Sequence, residues 1–150
     1  MRVHWLPPKP VGPVRLRPVL GGWEAVNPER CLVARAPSKR DLLVILGRLG
    51  ATPLAGRCPT PRRVEARGTP FQIRVWRAAR RIPPGQTLTY GELAQRLGIR
   101  SPRAVGGALG ANPLSGIIPC HRVVARNGVG GFAWGIAAKQ ILLRKEACRG

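Results

Sequence analysis

A thiol, an imidazole and a guanidinium follow one another at Cys120, His121 and Arg122, within Pro119-Cys120-His121-Arg122-Val123-Val124 and just after the apolar pair Ile117-Ile118. That grouping is a candidate nucleophile. A free cysteine ionises near pH ~8.5, so only a few per cent is thiolate at neutral pH, and neighbouring cations or a proton-accepting histidine raise that fraction. On an extended segment successive side chains point to opposite faces, so His121 would not touch Cys120 directly unless the backbone turns sharply. The other cysteines, at 31, 58 and 148, form neither a short-spaced pair nor a regular framework, which fits reduced thiols better than disulfides or a zinc site. No metal is expected.

The elements that must position this hexapeptide are helical in the second half of the chain. Thr69, Pro70 and Gln72 form a capping box with proline at the first helical position, which predicts a helix over 70–81 with Phe71, Val75, Ala78, Ala79 and Ile82 on one face. Thr89-Tyr90-Gly91-Glu92 repeats the capping logic and opens a helix that Gly98 closes. Ser101-Pro102 starts another, over Pro102 to Gly110. Two helices joined by a short turn containing glycine form a helix-turn-helix pattern, with the second as the recognition helix. Ala104, Gly106, Gly107, Ala108 and Gly110 leave that second helix nearly bare. Each glycine costs a helix roughly 1 kcal/mol relative to alanine, so something offsets three of them: close approach to another surface, or tight packing on the helix's own core.

In the first half, Arg2 to Leu6, Val14 to Leu20, Trp23 to Val26 and Cys31 to Ala34 read as short strands between Pro and Gly turns, and Ser38 caps a helix through Leu42, Leu43, Ile45, Leu46 and Leu49. Prolines, glycines and arginines then dominate from Thr52 to Gly68, which predicts a linker or irregular crossing strand and a domain boundary near Arg63.

The 26 Lys and Arg against six Asp and Glu give a formal charge of +20, with 44% hydrophobic residues to build a core. Such a surface binds polyanions, and nucleic acid more than an anionic membrane or a ribosome. No run approaches the roughly 18 apolar residues of a membrane span, and prolines break the first twenty residues where a signal peptide needs an apolar stretch. The expectation is a protein that stays in the cytoplasm.

Gly-Thr-Pro-Phe-Gln at 68–72, Val75-Trp76, Pro84-Gly85, Thr89-Tyr90, Arg103-Ala104-Val105-Gly106, Asn112-Pro113, the Pro-Cys-His-Arg core, and Leu142-Leu143 followed by Glu146 resemble, in that order and spacing, the C-terminal domain of the O6-alkylguanine-DNA alkyltransferases, bacterial and archaeal type. The match covers rather more than half the chain. It implies an α+β fold, with a small ribonuclease-H-like sheet and helix over 1–63 as support and a mainly helical, winged-helix-like domain containing the helix-turn-helix over 64–150. It also implies DNA repair: a monomer that flips a nucleotide out of alkylated double-stranded DNA and transfers the alkyl group, chiefly methyl, from guanine O6 to Cys120, irreversibly, once per molecule and without a cofactor.

The roles it implies follow the matched residues. Cys120 is the acceptor, Glu146 orients His121, His121 acts on the thiol through a water, and Asn112 ties the helix-turn-helix to the active-site segment. Arg103 is the finger that fills the vacated stack, and Tyr90 crowds the adjacent phosphate and bonds the flipped guanine. Ser101, Ala104, Gly106 and Gly107 complete the DNA face. The base pocket is Tyr90, Val123, Ala133 and Trp134, with the carbonyls of Cys120 and Val123 and the amide of Ala133 reading the guanine, and Trp134 narrowing the space. Arg122 secures the segment against the N-terminal half. Without the resemblance, Arg103 is equally a plain phosphate contact and Tyr90 a core aromatic. Two other classes compete. Non-catalytic alkyltransferase-like proteins recognise damage but replace the cysteine that this chain keeps, and cysteine hydrolases usually hold their Cys and His far apart in sequence.

Overall fold

The computed structural model describes residues 2–128, 130–131 and 136–149. The chain divides into two compact units, one of residues 1–73 with 113–115 and one of residues 74–112 with 116–150. Both strands and helices are present, a mixed α+β fold.

The first unit is built on a six-stranded mixed sheet. Its strands are β1 (Val3–Leu6), β2 (Gly12–Val19), β3 (Gly22–Val26), β4 (Cys31–Ala36), β5 (Ala51–Leu54) and β6 (Arg63–Arg67), ordered β1-β6-β4-β3-β2-β5. The β2-β3-β4 meander is antiparallel, whereas β6 runs parallel to both β1 and β4 and β5 runs parallel to β2. Burial follows position in the sheet. Cys31, Leu32, Val33 and Ala34 of β4 are all buried, as a central strand covered on both faces requires. Helix α1 (Lys39–Arg48) packs Leu42, Ile45 and Leu46 inward. Ser38 caps it as expected, accepting from the Asp41 N–H at 3.1 Å while its hydroxyl donates to the Asp41 carboxylate at 2.9 Å.

The stretch expected as a linker holds two strands instead. Pro53 is tolerated in β5 because that strand is the sheet's edge, where a missing N–H costs no ladder bond. Strand β6 buries Val64 and Ala66 in alternation, a pattern hidden in the sequence by the arginines on either side. A boundary at Arg63 therefore falls before a strand that is paired on both edges, and the first unit continues to Ile73.

In the second part of the chain, α2 (Pro70–Arg80) starts on the expected capping box. Thr69 Oγ1 accepts from the Gln72 N–H at 3.1 Å, and Gln72 Oε1 accepts from the Thr69 N–H at 3.0 Å. Val75, Trp76, Ala79 and Ile82 are buried, while Phe71 and Ala78 are half-buried. Trp76 takes part of the place expected of them, donating its indole N–H to the Ala108 carbonyl at 2.8 Å. Strand β7 (Leu88–Thr89) leads into α3 (Tyr90–Leu97), which Gly98 ends in the left-handed conformation, and α4 (Pro102–Gly110) follows with Ser101 as its cap. After a 3-10 turn over Cys120–Arg122 come β8 (Val123–Val124), parallel to β7, and α5 (Ile136–Arg149). No described helix is long and apolar enough to cross a membrane.

Candidate active site

Cys120 opens the 3-10 turn, so the segment is not extended and the backbone bends at the nucleophile itself. The thiol is 6% exposed. Asn112, just past the end of α4, aims its side-chain amide at two targets, Cys120 Sγ at 3.2 Å and the Ile118 carbonyl at 2.9 Å. Burial pushes the Cys120 thiol upward, and the Asn112 bond and the charge of Lys139 pull it back.

His121, next in the turn, is also buried, and its Nε2 lies 2.7 Å from Glu146 Oε1 of α5. The same carboxylate accepts from Arg122 Nε at 3.1 Å to each oxygen and from Nη2 at 2.8 Å. Burial would raise the Glu146 carboxyl, but hydrogen bonds from Arg122 and His121 and their charges hold it down to about 2. An ionised carboxylate only accepts, so Nε2 carries the hydrogen and Nδ1 is the basic nitrogen of the neutral ring. Arg122 also donates from Nη1 to the Ile82 carbonyl at 2.7 Å. Its bonds thus stay inside the second unit, tying the turn to α5 and to the end of the α2 segment. The expected tie to the N-terminal half is corrected: Arg122 orients the carboxylate that meets His121.

A cavity of about 610 Å³ opens beside Cys120, lined also by Tyr90, Arg103, Gly106, Gly107 and Gly131. Tyr90 donates its hydroxyl to the Gly131 carbonyl at 3.1 Å, and burial raises its phenol, with the Cys120 charge adding to the shift. Gly130 packs against that ring: with φ at +79°, a Cβ there would stand 3.0 Å from both Tyr90 Cε2 and the Ala125 nitrogen, so only glycine fits. Across the cavity, α4 turns Arg103, Ala104, Gly107 and Gly110 to solvent and buries Val105, Ala108 and Leu109. A Cβ at Gly107 or Gly110 would meet nothing within 4 Å, and one at Gly106 would make an ordinary contact with the Tyr90 ring at 3.8 Å. The helix's own packing therefore does not ask for these glycines.

Ser101 is exposed, but its hydroxyl is engaged as the cap of α4, accepting from the Ala104 N–H at 3.2 Å. The Val123 carbonyl accepts from Lys139 at 2.6 Å and the Cys120 carbonyl from the Val123 N–H, each keeping a second lone pair. Ala133 and Trp134, with Phe132, lie outside the described residues. The structure thus brings Cys120, Asn112, Tyr90, Arg103, Gly106 and Gly107 to one cavity wall or its edge, and joins His121 to Glu146 beside it. Sequence reasoning missed Lys139, wholly buried and bonded to Tyr90 as well as Val123. One signal was legible: Lys139 stands seven residues before Glu146, two turns along the same helix face.

A family model described as the DNA-binding domain of 6-O-methylguanine DNA methyltransferase matches residues 70–148. The methylated-DNA-protein-cysteine methyltransferase of Salmonella typhimurium is 56% identical over 81 residues, which are 53% of this chain and 47% of that protein. The chain thus spans about half the length of the curated relatives it matches. Among solved structures, Mycobacterium tuberculosis OGT in complex with DNA is 30% identical with a TM-score of 0.66, over 92% of this chain and 94% of that one. The O6-methylguanine-DNA methyltransferase of the hyperthermophilic archaeon Pyrococcus kodakaraensis is 29% identical with a TM-score of 0.67, over 89% and 98%.

Proposed function

We propose that this chain, which belongs to the 6-O-methylguanine DNA methyltransferase family, repairs double-stranded DNA by transferring an alkyl group, chiefly methyl, from guanine O6 to its own Cys120. The observation that carries the reading is a buried thiol facing a bare helix across one cavity. Glycines that the fold does not need are accounted for by a second surface, and the surface that a chain of charge +20 attracts is a phosphate backbone.

The target oxygen is buried in the base stack, so the nucleotide must be rotated out. Helix α4 lies along the groove with Ser101, Ala104, Gly106 and Gly107 against the DNA, Arg103 fills the vacated stack, and Tyr90 contacts the phosphate and the flipped base. Cys120 sulfur then attacks the alkyl carbon. The S–C bond forms, the C–O bond breaks with its electron pair going to guanine, and the proton given up by the thiol ends on the base. His121 relays that proton through a water, with Glu146 holding the ring. The free lone pairs of the Cys120 and Val123 carbonyls read the guanine edge, and Ala133 and Trp134 complete the pocket.

The product thioether is stable, so each molecule acts once and needs no cofactor. In this reading the first unit is a ribonuclease-H-like support, favoured by its mixed sheet and single helix. The second is winged-helix-like, favoured by the α3–α4 pair and the β7–β8 ribbon. The protein acts as a monomer in the cytoplasm, since Cys120, Asn112, His121, Glu146 and Tyr90 all belong to one unit.

Mass spectrometry after incubation with duplex DNA carrying O6-methylguanine tests this. The expected result is one added methyl, on Cys120, at a stoichiometry of one, and none in Cys120→Ser. Binding without a mass change would make the chain a damage-recognition protein, and repeated turnover would refute single use.

A further inference from the structure

Lys139 is 0% exposed. Burying an ammonium costs several kcal/mol unless its protons are bonded, and here all three have acceptors: the Val123 carbonyl at 2.6 Å, the Gly131 carbonyl at 3.0 Å and the Tyr90 hydroxyl at 3.4 Å. The ammonium also sits 5.5 Å from the centre of the Tyr90 ring. Each partner borders the reaction space, since Tyr90 and Gly131 line the cavity and Val123 directly follows the Cys120 turn.

These partners are neutral, which leaves the positive charge uncancelled by any carboxylate. The two acids of the second unit are Glu92 and Glu146, and the latter is engaged by Arg122 and His121. The titratable groups that face Lys139 are Tyr90 from α3 and Cys120 from the turn; each of Lys139 and Cys120 feels the other's charge. An anionic sulfur in that cavity is the counterion that the site otherwise lacks.

We propose that Lys139 is a positioning residue of the alkyl-transfer site, whose buried ammonium holds Tyr90 and the Val123 and Gly131 carbonyls around the cavity and offsets the negative charge of the Cys120 sulfur. This rests on the reading of Cys120 as the nucleophile. The sign follows from Coulomb's law: a nearby cation favours thiolate over thiol, so removing it lowers the reactive fraction at neutral pH and leaves the fully ionised sulfur at high pH intact.

The test uses iodoacetamide as probe, with Cys120 followed by peptide mass spectrometry across a pH series, so that it does not depend on repair of DNA. Lys139→Met should react several-fold more slowly at neutral pH, with a midpoint moved upward and the high-pH plateau retained. Lys139→Arg should return the midpoint toward that of the unmutated protein. A purely structural role would lower the plateau and leave the midpoint in place, and that result in a folded Lys139→Met protein overturns the proposal.

Should Lys139→Met fail to fold, the unmutated protein decides. The Lys139 Nζ resonance is titrated before and after Cys120 is methylated with methyl iodide. Loss of the ionisable sulfur should lower the ammonium midpoint, because linked groups shift each other reciprocally, and an unmoved midpoint refutes the link. If the iodoacetamide profile shifts as expected while methylated DNA leaves Cys120 unmodified, the electrostatic role of Lys139 stands and the repair reading falls.

Discussion

The Asn112 amide stands 3.2 Å from Cys120 Sγ and 2.9 Å from the Ile118 carbonyl, so one side chain at the end of the glycine-rich helix fixes both the nucleophile and the strand leading to it. Replacing it by alanine strands a buried carbonyl and removes one of the influences that draw the thiol downward. Asn112→Ala should cost about 1–3 kcal/mol in urea unfolding and slow single-turnover alkyl transfer at neutral pH. Asn112→Asp should be slower still, because a carboxylate would face the developing thiolate. A variant with unchanged stability and rate would remove Asn112 from both roles.

Gly107 separates stability from function. A Cβ there meets nothing in the free protein, so Gly107→Ala should stabilise the fold by up to roughly 1 kcal/mol through helix propensity alone. Gly107→Leu should stay folded but bind duplex DNA markedly more weakly, because the side chain fills space that the groove needs. Thermal unfolding beside a DNA titration at fixed salt checks this, and undiminished binding by Gly107→Leu would place the DNA elsewhere.

Much of this site was legible because its signals are local. Ser101-Pro102 fixes where α4 starts, Thr69 and Gln72 fix α2, and Gly98 ends α3 through a conformation that few other residues adopt. The strands between Thr52 and Gly68 were obscured because a proline at an edge and arginines beside buried valine and alanine imitate a linker; only pairing with distant strands makes them sheet. Arg122 and Lys139 were opaque for a related reason. Among 26 basic residues nothing in the sequence says which cation is buried, and the carbonyls that satisfy them come from segments brought close by folding.

Arg103 is exposed at the first turn of α4 and borders the cavity. If its work is to hold the nucleotide out of the stack, Arg103→Ala should slow repair of duplex DNA far more than reaction with free O6-methylguanine base, which has no stack to leave. Rates on both substrates, measured with the same preparation, give the answer. Equal losses would assign Arg103 to the geometry of the cavity instead.

The last prediction concerns acid. The Glu146 carboxyl is held down to about 2 from an ordinary value of 4.5, because the bonds and charges of Arg122 and His121 outweigh its burial. A carboxyl depressed in the folded state adds stability above its unfolded value, and that stability is lost as pH falls toward the folded value. The shift corresponds to on the order of 3 kcal/mol at neutral pH, an upper figure because Arg122 and His121 are themselves desolvated to make the cluster. Glu146→Gln cannot ionise and leaves two buried donors facing a neutral amide. The stability gap between the two proteins, from urea unfolding at a series of pH values, should be widest above about pH 5 and close as the pH drops toward 2. Other carboxylates lose their contributions over the same range, but they are common to both proteins and cancel in the difference. A gap that stays constant with pH would mean that the Glu146 charge orients His121 without stabilising the fold.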